Sequence, residues 1–61
     1  MMFYIVRFIG NDINVLAECK TYDEAKERGT MLSKQLGKVS MISGEKENGK
    51  FKKFRLHKTW R

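Results

Sequence analysis

The sequence predicts an α+β domain of order ββαββ, a four-stranded antiparallel sheet with one helix packed on one face. Three observations lead there. Phe3 to Ile9 is aromatic and β-branched and runs into Gly10-Asn11-Asp12, as a strand entering a turn does. Thr21 to Gly37 carries one well-signalled helix. Lys38 onward holds two more extended stretches around a glycine-bounded polar segment. Sixty-one residues make one domain, 1–61. A chain this short buries only about 60% of its unfolded surface, so its core must be fully used.

In β1, Phe3 to Ile9, both faces are apolar, the mark of a central strand covered on each side. Tyr4, Val6 and Phe8 share one face, while Phe3, Ile5, Arg7 and Ile9 share the other. Arg7 makes the second face the wetter one, so Tyr4, Val6 and Phe8 are assigned to the core. Ile13 to Cys19 is the returning strand, with Ile13, Val15 and Ala17 as its more apolar set.

The helix opens on Thr21-Tyr22-Asp23-Glu24, a capping-box pattern with acidic residues in the first turn, where the helix dipole favours them. Tyr22, Ala25, Gly29, Leu32 and Leu36 then recur every three or four residues and form one apolar stripe. Gly29 lies on that stripe, where it costs about 0.5–1 kcal/mol relative to Ala, so a close approach of helix to sheet is expected. Met31 points away from the stripe. Gly37 supplies the stop.

Lys38 to Ser43 reads as the third strand, Gly44 to Gly49 as a polar hairpin loop, and Lys50 onward as the fourth strand. Taken with a period of two, Phe54, Leu56 and Trp60 close the core and Phe51, Lys53, Arg55 and His57 face outward. One helix cannot cover four strands. The uncovered face is then expected to carry Phe3, Ile5, Arg7 and Ile9 with Phe51, Lys53, Arg55 and His57, too apolar for a solvated face and too basic for a core.

Charge divides the chain. Residues 1–37 hold five basic and five acidic residues, whereas residues 38–61 hold eight basic ones against Glu45 and Glu47, which accounts for the whole net charge of +6. Such asymmetry marks an electrostatic footprint and an acidic partner. The competing reading is an edge strand guarded by lysines, with charge that serves solubility.

Catalysis finds little support. His57 is the only histidine and Cys19 the only cysteine. Neither sits in a nucleophile or metal motif, no Walker-type loop follows Gly49, and no cofactor or small-molecule substrate is expected. A lone cysteine excludes an internal disulfide, and the apolar start is cut short by Arg7 without a signal-peptide pattern. A cytoplasmic, non-membrane protein is expected.

Nucleic acid is the first expected partner. Phe51 would stack on bases while Arg7, Lys53, Arg55 and His57 meet phosphates, or the last two strands would enter a groove with Lys46 and Lys50 near their tip. A homodimer or a host protein is the alternative, through an exposed apolar sheet face. The run Cys19-Lys20-Thr21-Tyr22-Asp23-Glu24-Ala25-Lys26-Glu27 after two short strands is similar to the strand-to-helix junction of the AP2-like arm-binding domains of phage integrases. That resemblance implies reading of a major groove by a sheet. The family, however, places its strands before the helix, and here two follow it. The short, proline-free plan also suits a phage or mobile-element accessory protein.

Overall fold

A computed structural model describes residues 2–61 as four strands and one helix: β1 (Phe3–Ile9), β2 (Asp12–Cys19), α1 (Tyr22–Leu36), β3 (Val39–Glu47) and β4 (Lys50–Trp60). The strands form one antiparallel sheet in the order β2-β1-β3-β4. The α+β class and the ββαββ order are those the sequence predicts.

The turns are built from their residues. Gly10 takes a φ of 61° between the paired Ile9 and Asp12, as the first central position of a type II′ turn requires. Asn48 and Gly49 take φ values of 53° and 80° between Glu47 and Lys50, the paired positive φ of an Asn-Gly type I′ turn. The expected loop over Gly44 to Gly49 is therefore a two-residue turn, and β3 continues as strand through Glu47. The helix begins as expected, with the Thr21 hydroxyl accepting from the Glu24 N–H at 3.2 Å. It ends where Gly37, at φ 89°, donates its N–H to the Ser33 carbonyl.

Three bulges decide which side chains face which way. Ile5 pairs with Ala17 but Val6 pairs with Val15, so Leu16 is an extra residue, and both Leu16 and Ala17 pack toward the helix. In β4, Lys52 and His57 are the extra residues, lying between the pairs Glu45–Lys53 and Lys46–Phe51 and between Met41–Lys58 and Ile42–Leu56. A bulge sets two side chains against one and shifts the alternation by one residue.

Consequently α1 covers the face expected to be wetter. Ile5, Cys19, Ala25, Val39 and Met41 form the helix-side core, with Phe3, Leu32 and Trp60 packed against it. Gly29 receives the Trp60 indole: a Cβ built there would overlap Cη2 and lie 2.5 Å from Cζ2 and Cζ3. The indole Nε1–H donates to the Thr30 hydroxyl at 3.2 Å. Met31 is exposed, as its position predicts.

Tyr4 and Val6 are buried, but in a second cluster with Ile42 on the face away from the helix, joined by Met2, Ile13, Val15 and Phe51. β1 pairs with β3 only from Phe3 to Val6, which frees the outer half of the β3–β4 hairpin to curl across that second face. Phe51 packs edge-on to Tyr4 at 5.0 Å between ring centroids, and Phe54 lies 6.1 Å from Phe8. The sheet partly covers its own second side, which a single helix cannot reach. Gly44 sits in the curling segment, where a Cβ would overlap the Lys53 carbonyl oxygen and lie 2.7 Å from the Phe54 Cα.

The face assignments from simple alternation are corrected accordingly. Phe8, Phe54 and Leu56, expected in the core, are 45%, 46% and 54% exposed, while Ile5, expected on the wet face, is fully buried. Trp60 reaches the core as expected, on the opposite side of the sheet from Phe54 and Leu56, because His57 intervenes.

Candidate binding surface

β4 is an edge strand, and its two bulges sort its side chains into unlike sets. Phe54 and Leu56 stand opposite Gly44 and Ile42, on the face away from the helix. Lys53 and Arg55 stand opposite Glu45 and Ser43, on the helix side. Lys52, Lys53 and Arg55 are all exposed. Among the described residues only Lys52 meets a carboxylate, that of Glu47 at 3.9 Å, and this solvent-exposed pair is worth little. Lys53 stands across the ladder from Glu45, but neither Lys53 nor Arg55 is in an ion pair among the described residues, and both project their cations into solvent.

Of the residues expected to form a site, Lys53, Arg55 and His57 do share one side of β4. His57 is half-buried, packed against the rings of Phe3 and Tyr22 at 5.4 and 6.2 Å, with Nε2 2.6 Å from the Ser43 hydroxyl. Ser43 is itself buried. This pair fastens the His57 bulge to β3 and offers no open nucleophile.

Phe51 lies on the other face, with its ring against Tyr4 and Phe54 and the Lys46 ammonium over it at 5.8 Å. The same ammonium lies 5.9 Å from the Tyr4 centroid, so Lys46 caps the second cluster by a cation–π contact. Phe51, the candidate stacker, has its ring engaged inside the fold, as does Phe3, expected on the same open face.

Lys50 lies beside the Asn48-Gly49 turn and lines a cleft with Asp12 and Ile13 of the opposite hairpin. Arg7 is half-buried and sits at the far end of the sheet, in a small cleft with Lys38 and Val39. Val39 pairs with Trp60, six pairs along the β3–β4 ladder from Glu45 and Lys53. The structure therefore separates Arg7 from the basic end of β4.

The residues that the sequence reading missed as surface are Phe8, Phe54 and Leu56, exposed on β1 and β4, whereas Ile9 is exposed as expected. Phe54, Met2 and Gly44 line a groove of about 530 Å³ together with Ser43, Glu45, Lys53 and Arg55. Cys19 is buried, and burial, reinforced by the Glu24 carboxylate, holds its thiol pKa above the ordinary value.

Among the described residues, no three His, Cys, Asp or Glu side chains gather as metal ligands, and no helix is long and apolar enough to cross a membrane. In comparisons with known proteins, no family model, no curated protein and no solved structure matches the chain.

Proposed function

We propose that this chain is a non-enzymatic binding protein for an acidic partner, engaged through β4, and that the partner is nucleic acid. The observation that carries this reading is the pair Lys53 and Arg55, exposed on an edge strand and outside any ion pair among the described residues, in the C-terminal part of the chain that holds the entire net charge. The binding mode is contact with the phosphate backbone, which fixes position without reading sequence. Base stacking on Phe51 is not part of it, because that ring already packs on Tyr4.

Phosphate-driven binding releases counterions and weakens steeply as salt rises from about 50 to 200 mM. The test is a fluorescence titration of duplex and single-stranded DNA and RNA at about 50 mM salt, with the double variant Lys53→Glu, Arg55→Glu in parallel. Wild type should bind, and the variant should lose binding with circular dichroism and melting unchanged. Undetectable binding by wild type at that salt would remove the nucleic-acid reading.

A second reading, a protein partner, is favoured by a different observation. Phe8, Phe54 and Leu56 are exposed on the first and last strands, with the Phe8 and Phe54 rings 6.1 Å apart, and apolar surface left open beside charge is typical of protein contacts. Binding of that kind is much less sensitive to salt.

A further inference from the structure

β4 closes the sheet on one side, so the N–H and C=O groups along its outer edge have no strand to pair with. Natural sheets deter self-pairing at such edges with bulges and lysines, and β4 has both. Its two bulges, at Lys52 and His57, nevertheless bracket an uninterrupted stretch. Lys53, Phe54, Arg55 and Leu56 pair in regular succession with Glu45, Gly44, Ser43 and Ile42. Within that stretch the side chains alternate cation, apolar, cation, apolar, and all four are exposed.

We propose that this stretch accepts an extended peptide segment of alternating acidic and apolar residues as a fifth strand. The inference rests on the protein-partner reading and names the partner's chemistry. A strand added at an edge gains affinity from main-chain hydrogen bonds and specificity from alternate side chains. A segment of about five residues, at ~3.3 Å each, spans the regular stretch. Its acidic side chains fall beside Lys53 and Arg55 on the helix side. Its apolar side chains fall beside Phe54 and Leu56, next to the groove that Met2 and Gly44 also line.

Charge disfavours the simplest competitor, a second copy of β4. Antiparallel self-pairing centred on Phe54 sets Lys53 directly opposite Arg55 of the other copy, twice over, and like charges directly opposite are destabilising. The same two cations that repel a second copy attract carboxylates at the same spacing.

The experiment is selection from a library of random linear peptides displayed on phage, followed by anisotropy titration of the synthetic winners against the full chain. Enriched sequences should alternate Asp or Glu with apolar residues. Moving the acidic residues of a winner to one end, at constant composition, should weaken it by about tenfold or more, because several cross-strand pairs are lost together. Selection on Lys53→Glu, Arg55→Glu should enrich Lys or Arg in the same alternation. If that variant fails to fold by circular dichroism, Arg55→Glu alone serves, with basic enrichment expected at the one position.

Winners with three- and four-residue apolar spacing would overturn strand addition while leaving the protein reading standing. No enrichment on wild type would sink both. A DNA oligonucleotide of equal charge that displaces the best peptide and binds more tightly would give the surface to nucleic acid. A concentration-dependent dimer that blocks the peptide would give the edge to a second copy.

Discussion

Replacing Gly29 with Ala sets two effects of opposite sign against each other. In an exposed helix interior the change stabilises, by about 1 kcal/mol, because Ala has the better helix propensity. At this position the new methyl overlaps the end of the Trp60 indole, with two further ring carbons at 2.5 Å, whereas carbon atoms pack best at about 3.5–4 Å. The ring must retreat by roughly 1 Å or more to restore that separation. Retreat removes the 3.2 Å bond from the indole to Thr30, worth about 0.5–1.5 kcal/mol net. It also opens the helix–sheet contact, and overpacking of this kind costs about 1–3 kcal/mol. Against the propensity gain, Gly29→Ala should destabilise by about 1–3 kcal/mol.

Urea unfolding followed by fluorescence measures this directly, since Trp60 is the only tryptophan. A second background isolates the cause. With Trp60→Leu already present the clash is gone, and Gly29→Ala should then stabilise by about 0.5–1 kcal/mol, read by circular dichroism. A stabilising Gly29→Ala in the wild-type background, or no change of sign between backgrounds, would refute the argument that the indole requires this glycine.

Other outcomes follow from the same geometry. Gly44→Ala should cost about 1–3 kcal/mol and loosen the Phe51–Tyr4 contact, because the added methyl meets backbone atoms of Lys53 and Phe54 that cannot rotate away; unchanged urea midpoints and Tyr4 ring chemical shifts would contradict it. Cys19 should resist a thiol reagent at pH 8 in the folded chain and react on unfolding, and equal rates in both states would count against its burial. Its raised thiol pKa favours the protonated folded state, so this contribution to stability is fully present below the unfolded thiol pKa of about 8.5. It is lost as pH rises from there through the folded value, and the loss should vanish in Cys19→Ala.

Much of the fold was legible because local signals agreed with one another. The capping pattern at Thr21, the helical stripe through Ala25 and Gly29, and the terminal glycine at 37 each have a local physical cause, and each stands where it was read. The buried centre of β1 follows equally from its unbroken apolar run. Face assignment in β4 was not legible by alternation, because two bulges shift it. Their trace is present in the sequence as the adjacent polar doublets Lys52-Lys53 and His57-Lys58, where a regular half-buried strand would place one inward residue. Asn48-Gly49 likewise marks a tight turn inside what reads as a longer loop.

The site was legible only in part for the same reason. Lys53, Arg55 and His57 share a side because no bulge falls within Lys53–Leu56 and the His57 bulge turns that side chain the same way. Phe51 is parted from them because Lys52 intervenes. Arg7 belongs to the same face of the sheet but to its other end, and that follows from the β1–β3 register, which local pattern does not carry.

What the sequence alone determined was composition-driven and local: the element order, the helix with its caps, the turn at Gly10, and the concentration of charge after the helix. These depend on residues within a few positions of one another. Tertiary structure decided which face of the sheet meets the helix, how the outer hairpin folds over the opposite face, and which apolar side chains of β4 stay exposed. Those outcomes depend on register and on close approach at Gly29 and Gly44, where backbone or ring must fit against a partner many residues away, and no short-range pattern encodes that fit.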